Sequence, residues 1–413
     1  MSGCGTQLAR AWFAAPRSAR SVQCWSWVVR GDLPYLACVI LMGLSFCCSK
    51  ERLMRCGPGK PVGLSYQMPA PDSDLGARAP ASSSVESRTP FRIPPTTIPK
   101  KISDQNPPTL VYDMIEPSTF RTTSDTSGME SCDLTGFDGL SLSGSEQFSE
   151  RQLEELITLT RPKRIVIIDT RQEFHGFANG EPISWYAADN YNWGNVEKPA
   201  EIIPAKETKK LAKLPTKFPF GLTIESGSVV KGKASSAPPK VLDFGKVKIE
   251  TEEELVKRKG VAYLRIPTPD HARPTDAEID KLVSELRNLA RAGDVHLHFH
   301  CRGGIGRTTL LMTLADMLHN SDKVQCAHII ERQIKLRRRD EFPTSKALNK
   351  VLRNEKSELM NTFFQYAKEQ PLEKADAISW TEWLALKAHR EHQILDTSSV
   401  GTPPTAPPGH RMP

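Results

Sequence analysis

The sequence predicts an α/β domain: a central, mostly parallel sheet flanked by helices, with a small β-rich insertion. Three observations carry that expectation. Apolar runs of strand length, Arg164–Asp169 (RIVIID), Val261–Ile266 and Val295–His300, alternate along the chain with segments of helical period. Two of the helical segments open on capping boxes, Ser149-x-x-Gln152 and Thr275-x-x-Glu278. Within Val295–Asn320 a strand, a glycine loop and a helix follow one another directly. Strands alternating with helices call for a sheet covered on both faces.

The chain has 413 residues, with 55 Lys+Arg against 48 Asp+Glu. The resulting net charge of +7 is mild for the length and is not by itself the balance of a nucleic-acid binder. Residues 1–32 hold Arg10, Arg17, Arg20 and Arg30 and one acid, Asp32. Leu33–Cys48 then runs sixteen residues without a charge, short for a spanning helix and suited to a signal-peptide core. Residues 1–56 are therefore expected to be a signal peptide or membrane-anchor region, and the protein to be exported: periplasmic, secreted or anchored. Six of the nine cysteines lie there, leaving Cys132, Cys301 and Cys326. A body with so few is not a disulfide scaffold.

Residues 57–108, rich in Pro and Ser, read as a linker, and the folded body is expected over 109–390. Leu153, Leu156, Ile157 and Leu159 give the first capped helix its apolar face. Arg171–Asn195, rich in Gly, Asn and aromatics without clear period, reads as a functional loop beside a strand end. Residues 197–248 are Lys-rich with short apolar runs (Leu222–Ile224, Val229-Val230, Val241–Phe244) and form the expected β-rich insertion. Glu252–Arg258 reads as a short helix. Ile279, Leu282, Val283, Leu286 and Leu289 line the second capped helix, and Val324–Lys335 and Asn349–Glu369 are further helices. Trp380 and Trp383 close the body, and 391–413 is expected to be a disordered tail. There is no internal repeat.

The chemistry gathers at VHLHFHCRGGIGRTT. Gly303, Gly304 and Gly306 let the backbone curl with its N–H groups inward, and the following helix adds its positive end, so the loop is a ready anion site. Cys301, at the mouth of that nest and close to Arg307, is a nucleophile stored in its anionic form. Arg307 offers a planar fork for two phosphoryl oxygens. Nucleophile, cradle and clamp are what phosphoryl transfer to sulfur needs. The string His300, Cys301, Gly304, Gly306, Arg307, Thr308 resembles the signature of the cysteine-dependent phosphatases. The amides of Arg302, Gly303, Gly304, Ile305 and Gly306 are the expected phosphate cradle.

Such a mechanism needs an acid for the leaving oxygen. Asp270 stands in a Pro-rich loop, RIPTPDHARP, between a strand and a capped helix, and is the candidate. His271 either orients that acid or caps the loop. Lys350, Arg353 and Lys356 are candidates for a polyphosphate rim, with a solvated helix face as the plain alternative. His296, His298 and His300 share a strand face; hydrogen bonding within the core is favoured over a zinc site, and no metal or cofactor is expected. The Lys206–Lys217 run has no interleaved aromatics before Phe218, which argues against nucleic acid; it is a polyanion-attracting rim or a solvated turn.

Further segments narrow the resemblance: Phe120-Arg121-Thr122 with Leu140–Ser149, Asp169–Tyr186, Pro269–Pro274 and Ser379–Leu384. With the loop signature they resemble the protein-tyrosine-phosphatase-like phytases, from about Thr109 to Leu386. The resemblance implies a cysteine-phosphatase fold with a partial β-barrel, which the 197–248 insertion would supply. It implies Cys301 as nucleophile, Arg307 as clamp, Asp270 as general acid, Thr308 as a donor to the cysteine sulfur and Arg121 as a substrate contact. Residue 302, often acidic in these phytases, is Arg302 here, an expected extra cation at the rim that favours a densely anionic substrate or shifts which phosphate enters. The expected function is hydrolysis of inositol polyphosphate monoesters. The rivals are a protein tyrosine or dual-specificity phosphatase, one delivered as an effector among them, and a non-catalytic phosphate-binding module.

Overall fold

The structure is a computed structural model that describes residues 107–399, apart from 114–117, 162, 189–190, 227–238, 244–246 and 339–346. The chain divides into two units, Met1–Ser83 and Ser84–Pro413, and every described residue lies in the second. The expected signal or anchor region and nearly all of the expected linker fall outside the described residues. Among the described residues, no helix is long and apolar enough to cross a membrane.

A five-stranded sheet organises the body, in the order β10 (Ala262–Thr268), β4 (Arg164–Arg171), β11 (Val295–His300), β3 (Leu142–Ser145), β2 (Arg121–Thr122). The first four strands pair in parallel and only β2 runs antiparallel, so the expected mostly parallel sheet is present. Helices α1 (Glu150–Thr160) and α5 (Asp276–Ala292) begin at the two capping boxes read from the sequence, with both reciprocal hydrogen bonds made. Between them lie α2 (Ile203–Ala212), α3 (Leu214–Lys217) and α4 (Glu252–Arg258).

The axis of the core is α6 (Gly306–Asn320). Leu310, Leu311, Met312, Leu314, Ala315, Met317 and Leu318 are all buried, so this helix is covered on every side. Its polar Asp316 is matched by Arg332 and Gln333 of α7 (Cys326–Leu336), leaving the buried carboxylate satisfied. Next come α8 (Ala347–Glu369) and α9 (Trp380–Ser399). Trp380 and Trp383 anchor α9 by burying their rings while their indole N–H groups reach Asp276 at 3.0 Å and Glu369 at 2.7 Å. Helix α9 runs to Ser399, well into the stretch expected as tail.

A second sheet is antiparallel throughout, in the order β1 (Thr109–Tyr112), β6 (Glu181–Tyr186), β5 (His175–Ala178), β9 (Ile249–Glu250). Beside it lies the hairpin of β7 (Leu222–Ile224) and β8 (Lys240–Leu242). The β-rich portion is therefore not confined to 197–248. Most of its strands come from either side of that stretch, whose first half is helical. Ile203, Glu207 and Leu211 are the buried face of α2, four residues apart. The expected loop 171–195 also contains a hairpin. Its turn is Asn179-Gly180, with φ of 51° and 77°, the left-handed pair that a tight hairpin turn demands.

Candidate active site

Strands β4 and β11 lie side by side, with His300 opposite Asp169. The residues that leave these two strand ends, 171–173 and 301–307, are consequently neighbours. Cys301, buried at the end of β11, receives the Gly304 N–H at 3.2 Å on Sγ. Gly304 has φ +68°, and a Cβ there would lie 2.0 Å from Thr119 Oγ1 and 2.4 Å from Glu146 N. Only glycine fits. The loop carbonyls are tied outward: Gln147 N donates to Arg302 O at 3.2 Å and Arg121 Nη1 to Gly304 O at 2.7 Å. With its carbonyls held outside, the loop turns amides to the interior, the arrangement that cradles an oxyanion.

Arg121 thus sits behind the cradle rather than on the substrate side. It is 5% exposed, and its second nitrogen donates to Thr309 Oγ1 at 2.9 Å. Its expected role as a substrate contact is replaced by a bracing one. Thr308 also departs from expectation, because its hydroxyl points toward Ser145 O at 3.5 Å. Gly304 N, not Thr308, is the donor placed on the sulfur.

Arg307 is held by Glu173, with Nη1 on Oε2 at 2.7 Å and Nη2 on Oε1 at 3.0 Å. Burial alone would push the Glu173 carboxyl up, but Arg307 and Arg171 outweigh it and hold it well below the usual carboxylate range. Arg307 Nε has no hydrogen-bond partner among the described residues, and Asp270 Oδ1 stands 3.4 Å from it. The fork is therefore held by Glu173 at its Nη nitrogens and faces the Asp270 carboxylate at Nε. Behind Glu173 the charges alternate: Arg171 Nη2 reaches Asp113 at 2.8 Å, and Asp113 accepts Arg302 Nε at 2.8 Å. Arg302 is 8% exposed and stacks over Tyr186 at 4.4 Å. The extra rim cation expected at 302 is a neutralised member of this network, its charge answered by Asp113.

His300 Nε2 lies 2.6 Å from Glu252 Oε1, and its ring meets Phe148 at 4.9 Å. Asp169, Glu252 and His300 bring ligand atoms within 4.8 Å of one another. Protein cations already answer those carboxylates: Arg265 Nε is 3.1 Å from Asp169, and His175 Nε2 is 3.2 Å from Glu252. Burial pushes His175 down, but Asp169 and Glu207 reverse this and raise it to about 10. His296 and His298 are core residues that share Ser143 Oγ, at 2.7 Å and 2.8 Å. Burial lowers both, His296 to about 4.

Asp270 lies in the loop between β10 and α5, with its side chain 26% exposed. His271 follows it with φ +64°, its ring 3.8 Å from the Asp270 carboxyl. Both border a cavity of about 380 Å³ that has Cys301 and the cradle at its base. Arg337, Arg353 and Lys356 line one part of this cavity, and Leu310, Ile334 and Met360 another. Lys350 is exposed and is not among the lining residues, so of the two lysines proposed for the rim the structure brings only Lys356 to the site. The Lys206–Lys217 run is neither rim nor turn but helix, and Lys210 lies 4.5 Å from the Trp185 ring, where burial lowers it to about 8.

Sequence reasoning missed Glu173, Arg171, Asp113, Glu252 and Arg337. One signal was present: Asp169, Arg171 and Glu173 alternate at spacing two straight after the buried run RIVII. Charged residues at that period on a central strand announce an internal ion network.

The family model for PTP-like phytases, described as inositol hexakisphosphate, matches residues 225–319, a span that holds Asp270, Cys301 and Arg307. Solved PTP-like phytases share the fold. One from Bdellovibrio bacteriovorus superposes with a TM-score of 0.52 at 28% identity, over 70% of this chain and 100% of that one. In sequence and in fold the chain is similar to the PTP-like phytases. A PTP-like myo-inositol phosphatase from Mitsuokella multacida, solved with myo-inositol-(1,3,4,5)-tetrakisphosphate, gives a TM-score of 0.57 at 27% identity and covers 69% of this chain. This chain spans half the length of that protein, 50%. Among curated relatives, the effector protein hopD2 of Pseudomonas syringae pv. tomato is 28% identical over 348 residues, 80% of this chain and 70% of the relative. The uncharacterized AvrBs1.1 of Xanthomonas campestris pv. campestris is 37% identical over 97 residues, 22% of this chain and 91% of the relative. The chain is thus similar both to solved inositol phosphatases and to a bacterial effector.

Proposed function

We propose that this chain hydrolyses phosphate monoesters of inositol polyphosphates through a cysteinyl-phosphate intermediate. The observation that carries the reading is the convergence at Cys301. An amide reaches Sγ from Gly304 at 3.2 Å, Arg307 is clamped by Glu173, and the Asp270 carboxylate stands 3.4 Å from Arg307 Nε. In the first step the Cys301 thiolate attacks phosphorus, the S–P bond forms and the P–O bond breaks. The Asp270 carboxylic acid gives its proton to the departing alkoxide. In the second, Asp270 takes a proton from the water that attacks phosphorus. The S–P bond then breaks, its electron pair returns to sulfur, and inorganic phosphate is released. Arg307 and the cradle amides bear the equatorial oxygens. A non-catalytic reader would have no use for the acid or for a nucleophile at the base of the cradle.

The second reading, a phosphoprotein phosphatase, is favoured by the apolar wall of Leu310, Ile334 and Met360 beside the cradle and by the likeness to an effector. The same cavity carries Arg337, Arg353 and Lys356, which suit additional phosphates better than a peptide, and this places the inositol reading first. Export or anchoring through residues 33–48 belongs to the same proposal; sequencing the mature N-terminus after cell fractionation checks it.

The test compares phosphate release from inositol hexakisphosphate and from a phosphotyrosyl peptide, for the wild type and Cys301→Ser. The proposal expects a higher kcat/KM on the inositol phosphate and no turnover by Cys301→Ser, which still binds phosphate. Preference for the peptide moves the protein to the second reading. Activity retained by Cys301→Ser refutes the mechanism.

A further inference from the structure

This inference rests on the phosphatase reading with Asp270 as the acid, and concerns what holds that acid in place. His271, next to it, has φ +64°, an uncommon conformation for a residue with a Cβ. Such a conformation persists only where the surroundings over-determine it. The surroundings here are groups of the fold itself. Trp193 Nε1 donates to the Asp270 carbonyl at 2.7 Å. The indole is buried in one apolar cluster with Ala272, from the acid loop, and Leu352, from α8. Tyr191 stacks on Trp193 at 4.9 Å and meets the His271 ring edge-on at 5.7 Å. The segment that carries Trp193 is anchored in turn, because Asn195 Nδ2 donates to Gln172 O at 2.9 Å, one residue before Glu173.

We infer that Trp193 is the positioning residue for the general acid: its indole N–H pins the Asp270 backbone, so the acid loop is closed over the cradle by the fold rather than by substrate. One stretch, 171–195, therefore sets both moving parts of the site. Through Glu173 it fixes the Arg307 fork, and through Trp193 it fixes the carboxyl that must face the leaving oxygen. Trp193 touches no reacting atom and acts through Asp270 alone. Its removal is therefore felt in proportion to how much the leaving group needs a proton.

Trp193→Phe keeps an aromatic ring in the cluster and deletes the N–H. On inositol hexakisphosphate, whose leaving group is a poor alkoxide, kcat is expected to fall about 10-fold to 100-fold, within what a positioned acid supplies. On p-nitrophenyl phosphate, whose leaving phenolate needs little proton, the change is expected to stay under about 3-fold. In an Asp270→Asn background Trp193→Phe adds no further loss, since the two residues act as one unit. Equal losses on both substrates, an additive loss in the double variant, or no loss on either overturns the assignment. Where Trp193→Phe does not fold, Asn195→Ala leaves the indole intact, frees its segment and is expected to give the same split between substrates; equal losses again overturn it.

Amide hydrogen exchange of residues 268–273 needs no turnover. The wild type is expected to exchange slowly there, with little added protection from vanadate, and Trp193→Phe to exchange fast. Fast exchange in the wild type, or unchanged protection in the variant, overturns the latch. A wild type silent on both substrates refutes the phosphatase reading instead, and the exchange measurement still decides the latch.

Discussion

The floor and the rim of the cavity are built on opposite plans. The floor is one contiguous string, His300–Thr308, with Cys301, Arg302, Gly304, Arg307 and Thr308 buried, named donors on its carbonyls and Glu173 on its arginine. The rim is assembled from α6, α7 and α8, from residues as far apart in sequence as Leu310 and Met360, and it mixes cations with apolar side chains. On the proposed reading, a floor of amides around the Cys301 sulfur recognises a phosphoryl group and nothing else about its bearer. Which phosphorylated molecule enters is decided at the rim. Chemistry is therefore written locally in this chain, and substrate choice is written in its tertiary packing.

Glu173→Gln strikes the floor hardest among the changes that spare the nucleophile. It loosens the Arg307 fork and leaves Arg171 and Arg307 facing a neutral partner in the interior. Losing one member of a buried pair costs about 3–5 kcal/mol. We expect kcat to fall on the order of 100-fold on inositol hexakisphosphate and p-nitrophenyl phosphate alike, together with a lower melting temperature. A loss confined to the inositol substrate would show that the floor, too, selects substrates.

Arg353→Met and Lys356→Met strike the rim. Each is expected to raise KM for inositol hexakisphosphate about 5-fold to 20-fold, and to change p-nitrophenyl phosphate kinetics by less than about 2-fold, because the smaller ester has no further phosphates to meet them. Steady-state kinetics on both substrates reads the difference. Equal effects on the two would erase the division between floor and rim.

The smallest effect contrasts two buried acids by their partners. Arginines hold Glu173 low, whereas burial raises Glu278, at the start of α5, to about 7. A carboxyl raised on folding contributes stability that is fully present below its unfolded value of about 4.3 and is lost as pH rises through its folded value. Glu278→Gln keeps the capping acceptor for Thr275 N without a charge. We expect it to match the wild type near pH 4 and to be more stable at pH 8, by at most about 4 kcal/mol. Urea unfolding at the two pH values checks this; a variant less stable at pH 8 contradicts it.

Much of this molecule is legible in its sequence where the signal is local. The two capping boxes start α1 and α5, the run RIVIID lies in β4, and HCRGGIGRT becomes the loop at the end of β11. The misses share a cause. In α2 the lysines hid a helical period, Ile203, Glu207, Leu211, that buries one face while the lysines occupy the others. In 171–195 the density of aromatics masked the Asn179-Gly180 hairpin turn. Arg302 and Arg121 read as substrate-facing cations, but neither a loop position nor a place on an edge strand fixes which way a side chain points, and only folding shows Asp113 and the Gly304 carbonyl waiting behind them. Trp193 and Glu173 gain their roles from partners 77 and 134 residues away, a relation no window of sequence contains.

The central claim is that Cys301 carries the phosphoryl group. Asp270→Asn, mixed with p-nitrophenyl phosphate and quenched in acid, tests it most directly. The activated leaving group permits the first step, while the missing base stalls the second. Peptide mass spectrometry should then find one phosphoryl group on Cys301, in an amount that matches the burst of nitrophenolate. A burst with Cys301 unmodified, or with the phosphoryl group on His300 or His271, would contradict the account.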